Sequence, residues 1–355
     1  MKNLKVKLIS FLMLTFVMVS CGSDEPIAIT PPLNEVLENL NNGIMEGKLS
    51  EDYTLDPTIQ YSLRGAFIIE NNGILTIPAG TIITADSGGT EVYIAVLQGG
   101  EININGNAGN PVVMSSATGS PGDWGGLTLC GNASTTAGVD ASAEVGGFIY
   151  GGTDDVDSSG IIRYLQIVGT GAQINPESQY NGISFYGVGS GTLVDHVAII
   201  NGSDDGVEFF GGTVAVSNLY LENNDDDSID WTEGWSGSVT NAYISHTVAG
   251  FSTVFEGDKD NANPTFTNIT AVSSVGGTGL QFKKESGATI TGLHLIGYDV
   301  DLDMKDNGAL SNVQIDGASA DAILYAGETN KYMLNSGKNA APVALNKWSW
   351  IDDSF

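Results

Sequence analysis

The sequence predicts an all-β chain wound as a single-stranded right-handed parallel β-helix, a solenoid with coils of about 20–27 residues. Three observations carry this. One strand pattern, apolar–x–aromatic or apolar, recurs as Ile183-x-Phe185, Val207-x-Phe209, Ile229-x-Trp231, Thr253-x-Phe255, Leu280-x-Phe282, Leu302-x-Met304 and Ile323-x-Tyr325. A second strand lies between these repeats: His196-Val197-x-Ile199, Asn218-Leu219-x-Leu221, Asn241-Ala242-x-Ile244, Asn268-Ile269-x-Ala271, Gly292-Leu293-x-Leu295 and Asn312-Val313-x-Ile315. The third position of the first pattern recurs after 24, 22, 24, 27, 22 and 21 residues, and the second keeps step with it. Two interleaved columns with one variable period describe a coil climbed once per repeat, with coils about 4.8 Å apart. A propeller blade needs about 40 residues or more, and a sandwich does not stack like on like.

The chain opens on an address. Lys2, Lys5 and Lys7 precede an apolar run from Leu8 to Val19, so residues 1–20 read as a secretory signal peptide. The run is too short to span a bilayer as a helix. It ends Met18-Val19-Ser20-Cys21, which resembles a bacterial lipoprotein box with Cys21 as the lipidated residue. The acidic Asp24-Glu25 that follows resembles the signal that sends such proteins to the outer cell surface. The expected location is therefore the outer membrane, reached through a lipid anchor. Residues 21–43 read as a tether ending in a short helix, because Leu33, Val36, Leu37 and Leu40 recur at helical spacing before Gly43.

The β-helix is expected over residues 44–330. Leu75–Ile83, Gly99–Ile104, Asn110–Met114 and a segment opening at Asp123-Trp124-Gly125-Gly126-Leu127 supply the early coils. Residues 132–160 read as a loop bulging from one coil. Residues 331–355, with Trp348, Trp350, Ile351 and Phe355, read as a cap on the C-terminal end, where bare strand edges need cover. Asn218, Asn241, Asn268 and Asn312 fall in one column and are expected to form an asparagine ladder. Cys130 has no intramolecular partner once Cys21 is lipidated and reads as a small buried hydrophobe.

Charge narrows the function. The chain carries 42 acidic and 13 basic side chains, a formal −29, and loss of the signal's three Lys takes it to −32. Nucleic-acid binding needs clustered Lys and Arg and is not expected, nor is docking on anionic lipid. Residues 164–258 hold thirteen Asp and Glu and no Lys or Arg. The 22-residue step places Asp204 under Asp226, Asp205 under Asp227 and Glu208 under Asp230. Like charges at that spacing repel by roughly 3–4 kcal/mol at an effective dielectric near 20. Either these six carboxylates bind a hard cation, with Ca²⁺ the natural choice, or they are solvated turn residues. No organic cofactor is expected.

Asn181–Thr192, Asp204–Val214 and Asp226–Asp230 with Gly234-Trp235-x-Gly237, together with Ala79-Gly80-Thr81 and Gly122–Leu127, resemble a group of bacterial, Bacteroidota-type cell-surface lipoproteins. The resemblance implies a pectate-lyase-like β-helix at the cell surface. It implies no catalytic residues, because the group has no established activity.

The reading is a non-catalytic binding or structural protein for glycan or another surface polymer. Tyr220 and Tyr243 share an outward column and suit sugar stacking, with packing under a loop as the alternative. A polysaccharide lyase or glycoside hydrolase is a second reading. Clustered Asp suit it, but Arg163 and Lys283, the nearest bases in sequence, are expected several coils from the acids along the stack. An adhesin is a third. His196 reads as structural. His246 follows Ser245, but no acid completes a triad. The Gly187–Gly191 run lacks the helix and Lys of a phosphate loop.

Overall fold

A computed structural model describes residues 33–176, 178–327, 330–334 and 348–351. The signal peptide, Cys21, the tether up to residue 32 and Phe355 lie outside the described residues. Among the described residues, no helix is long and apolar enough to cross a membrane.

The described chain is a right-handed parallel β-helix with three parallel sheets. The helix Leu33–Asn41 precedes it, with Val36 and Leu40 buried in the same core as the first coils. The first sheet runs from Asp52–Thr54 through Ile74–Pro78 and Glu101–Asn105 into the opening halves of five long strands, Gly160–Val168, Leu193–Ile200, Ala215–Glu222, Ser238–His246 and Thr265–Ser273. Ala288–Ile296 and Val313–Ile315 continue it. The second sheet takes the closing halves of the long strands, preceded by Ile82–Ala85 and Val112–Ser116. The third takes the apolar–x–aromatic strands, including Leu127–Cys130, Ile183–Tyr186, Val207–Phe210, Asp227–Thr232, Thr253–Gly257, Thr278–Phe282 and Val300–Met304.

Each of the five long strands, and Ala288–Ile296 after them, turns at one residue in the left-handed region, in the long strands from the first sheet into the second. These are Tyr164, His196, Asn218, Asn241, Asn268 and Gly292, with φ of 48°, 56°, 55°, 60°, 57° and 76°. Asn tolerates that conformation better than most residues, and its amide bonds along the stack. The Nδ2 of Asn241 donates to Asn218 Oδ1 at 3.1 Å, and that of Asn268 to Asn241 Oδ1 at 3.1 Å. The ladder is thus also a hinge. Asn312 leaves it: Val313 pairs with Ala288, not Leu293, and the Asn312 amide donates to Glu285 O. Asn241→Ala is expected to cost about 2–3 kcal/mol in urea unfolding, from left-handed strain and two lost hydrogen bonds. Asn241→Gly should cost less, because glycine carries no left-handed penalty; equal losses would contradict the conformational part.

Inward residues form the expected columns, with one register correction. Phe209 stacks on Phe185 at 5.1 Å and on Trp235 at 4.0 Å, and the Trp235 indole donates to Val214 O at 3.1 Å. Phe255, however, pairs with Ile229, and it is Gly257 that lies over Trp231. The step there is two residues longer than the aromatic pattern suggests. The last expected repeat is not a coil. Ile323 ends a short helix, Ala320–Ile323, and Tyr325 is exposed on an antiparallel strand, Leu324–Ala326, beside Lys331–Leu334. Lys331–Leu334 pairs antiparallel with Val300–Met304 and so covers that strand edge.

Trp348 and Trp350 sit elsewhere than the end of the stack. Trp350 and Ile351 are buried with Val168, Ala198, Ile200 and Tyr220, against the partly buried Tyr164, Tyr243 and Trp348. They strap the flank of the second sheet across four successive long strands.

Candidate functional site

On the third sheet the outward column reads Ser184, Glu208, Asp230, Glu256, Gln281, Asp303. Glu208 and Asp230 are neighbours as the repeat requires. Glu256 is the next rung, and the sequence pattern missed it. One turn earlier, Asp205 precedes Asp227 on the adjacent rung, and its Oδ1 accepts the Asp227 N–H at 2.8 Å. Asp204 and Asp226 flank them.

All six expected carboxylates come together, joined by Glu256 and Asp258. Their oxygens fall into three overlapping triads, Asp204–Asp205–Asp226, Asp205–Glu208–Asp230 and Asp227–Asp230–Glu256, each within 4.8 Å. The alternative of solvated turn carboxylates fits the exposed Asp226 but not the rest of the group. Asp205 and Asp227 are 5% and 3% exposed, and Glu208 and Asp230 are half-buried. Asp205, Glu208 and Asp230, with Asp204, Asp226, Glu256 and Asp258, line a cleft of about 450 Å³, and Asp227 lies beneath it. Two insertions wall it. The hairpin Ala141–Ser142 with Ile149–Tyr150, from within the expected 132–160 loop, brings Glu144; the hairpin Gln173–Asn175 with Ser178–Gln179 brings Gln179. The Tyr150 hydroxyl donates to Glu233 Oε2 at 2.7 Å, fixing the first wall.

Few donors meet this charge. Gln179 Nε2 donates to Asp204 Oδ1 at 2.9 Å, Asn181 Nδ2 to Glu208 Oε2 at 2.7 Å, and Thr253 Oγ1 to Asp227 Oδ1 at 2.5 Å. Asp230 Oδ1 is closed off from solvent with no hydrogen-bond partner among the described residues. Burial, reinforced by neighbouring carboxylates, holds Asp205, Glu208, Asp227 and Asp230 well above the usual carboxylate range. Burial and Asp226 push Asp204 up to about 7.

A basic residue does reach the site, which corrects the distance inferred for Lys283. The acidic column extends to Glu256, and the Lys283 Nζ donates to Glu256 Oε2 at 2.5 Å. Burial works against the ammonium, yet the bond to Glu256 and the nearby Asp230 and Asp227 hold its pKa above the usual Lys value. Lys284 pairs with Asp258 at 3.1 Å.

Tyr220 is 3% exposed under Trp350 and Ile351, and its hydroxyl donates to Glu222 at 2.6 Å. Its ring lies face to face with half-buried Tyr243 at 5.8 Å. The two rings cover each other, so an open sugar-stacking ladder is not formed; the packed alternative holds. His196 stacks on Tyr164 at 4.2 Å, as a structural residue does. His246 is buried between Ser228 Oγ at 3.1 Å and the Tyr298 hydroxyl at 3.0 Å, its pKa pushed down to about 4 by burial. Ser228 is fully buried, which removes it as a nucleophile. Cys130 is buried beneath the first hairpin, its thiol pushed up to about 12 by burial.

A family model described as a pectate-lyase like beta helix domain matches residues 47–347. No curated protein and no solved structure matches the chain.

Proposed function

The chain belongs to the pectate-lyase-like β-helix family, and on that premise we propose a lipid-anchored cell-surface protein that holds Ca²⁺ in its acidic cleft and there binds glycan or another surface polymer. The observation that carries the reading is the set of three overlapping carboxylate triads, two of which include Asp230 with its orphaned Oδ1. Ca²⁺ accepts six to eight oxygens and would relieve repulsion that the few donors leave uncompensated. Asp205, Glu208, Asp227, Asp230 and Glu256 would hold the ion, while Gln179, Asp204 and Asp226 at the mouth present polar groups to sugar hydroxyls.

The test is calorimetry with Ca²⁺ and with hexagalacturonate, for the wild type and Asp230→Asn. Ca²⁺ binding that weakens at least tenfold in the variant, and hexagalacturonate binding that vanishes in EDTA, are expected. Wild-type affinity for Ca²⁺ in the variant refutes the site. The anchor has its own test: Cys21→Ser should move the protein from the membrane pellet to the soluble fraction.

Lys283 favours one further reading, a polysaccharide lyase or glycoside hydrolase. The cleft pairs a cation with carboxylates whose ionisation is spread apart, the arrangement acid–base chemistry uses. Release of unsaturated products or reducing ends that Lys283→Met abolishes would establish it; none from any polysaccharide in a broad panel would exclude it.

A further inference from the structure

The hairpin that walls the acidic cleft also walls a second groove, toward the N-terminal coils on the same sheet. Its floor is formed by Glu70, Asn71 and Asn72, in the turn after Gln60–Ile69, and by Gln98, after Tyr93–Val96. Its far side is Phe148 and Ile149 of the hairpin, and its volume is about 570 Å³. The chemistry is the reverse of the cleft's. Its one carboxylate, Glu70, is paired with Lys48 at 2.9 Å. Asn71 and Asn72 are exposed, and among the described residues their side-chain amides make no hydrogen bond. Gly99 leaves room for the Asn71 amide, since a Cβ there would lie 2.3 Å from Asn71 Oδ1.

Two features preorganise the groove. Gln98 Nε2 donates to Gly131 O at 3.1 Å and Gly151 O at 3.2 Å, tying the base of the hairpin to the coil. Phe148 is half-buried and meets Tyr93 at a 56° tilt, unlike the mutually covered Tyr220 and Tyr243, and Ile149 beside it is 48% exposed.

We propose that this groove is a subsite for an uncharged sugar unit, with amides for its hydroxyls and Phe148 for its apolar face. Amides both donate and accept, as sugar hydroxyls do, whereas a groove without free charge gives no preference to an ion. The inference rests on the glycan reading and narrows it: the polymer crosses the hairpin, placing a neutral unit here and a polar or anionic one in the cation-loaded cleft.

Saturation-transfer NMR with cellohexaose, xylohexaose and mannohexaose tests it on the mature chain in EDTA, which silences the cleft's cation dependence. At least one hexasaccharide should bind, with affinity reduced tenfold or more by Phe148→Ala and by Asn72→Ala. Binding indifferent to Phe148 and Asn72, or no binding by any of the three, overturns the proposal. Matching near-ultraviolet circular dichroism of the variants and wild type excludes loss through misfolding. If cellohexaose binds as described while hexagalacturonate fails at the cleft, the subsite stands and the cleft reading falls.

Discussion

In EDTA, the protein should grow more stable as pH falls from 8 toward 5, the reverse of an ordinary carboxylate-rich protein. The sign follows from the cleft. A carboxyl whose folded pKa lies above its unfolded one binds a proton more readily in the native state, so stability drops as pH rises between the two values. For Asp204, pushed up to about 7, the loss begins near the usual carboxylate value and is complete above pH 7. It amounts to about 4 kcal/mol. Asp205, Glu208, Asp227 and Asp230 act in the same direction. His246 opposes them: held neutral by burial down to about pH 4, it costs stability as pH falls below about 6.5. One histidine against five carboxyls leaves the net slope set by the cleft.

Saturating Ca²⁺ should reverse that slope, because the ion needs the carboxylates ionised and protons compete with it. Melting curves at pH 5, 6, 7 and 8, each in EDTA and in millimolar Ca²⁺, would show divergence widening with pH. Superimposable curves would eliminate the cation. Asp205→Asn keeps the acceptor for the Asp227 N–H and removes one charge. It should therefore stabilise the EDTA form at pH 8 while shrinking the gain from Ca²⁺.

The second large effect is in the core. Trp231→Ala should cost about 3–5 kcal/mol, the range for emptying a buried aromatic site. Trp231 is fully buried among Phe266, Phe282 and Phe255, with ring centroids at 5.0, 5.7 and 6.0 Å. These rings come from two coils, so no single rung can collapse to fill the space. Gly257 above it has no room for a side chain: a Cβ would lie 2.7 Å from the Trp231 ring. Gly257→Ala should therefore destabilise the same locus from the other side. Urea unfolding checks both; a loss under 1 kcal/mol for Trp231→Ala would contradict the packing.

That Gly257 also shows why part of the site was hidden in the sequence. Stacking puts like on like, which made the columns, the ladder of Asn218, Asn241 and Asn268 and the three acidic pairs legible from residue types alone. Glycine carries no hydrophobic signal, so the eye matches Phe255 to Trp231 and slips two residues. With that slip Val254 would lie over Asp230, and Glu256 drops out of the acidic column. Lys283 disappears with it, since it approaches the acids through Glu256. The walls of the cleft come from hairpins outside the repeat, and periodicity says nothing about where an insertion folds back. Nor does it show that Trp350 returns to rungs more than a hundred residues earlier in the chain.

That strap changes how the solenoid can come apart. A stack whose rungs touch only their neighbours behaves like a zipper, opening from either end one coil at a time. Trp350 and Ile351 bind the long strands from Gly160–Val168 to Ser238–His246 as a group, with a segment that belongs to the opposite end of the chain. Fraying at the C-terminal end must therefore loosen a clasp on the middle, and the middle cannot open while the clasp holds. Mechanical load drawn through the chain's ends would meet a shared yield point there, not a succession of small ones.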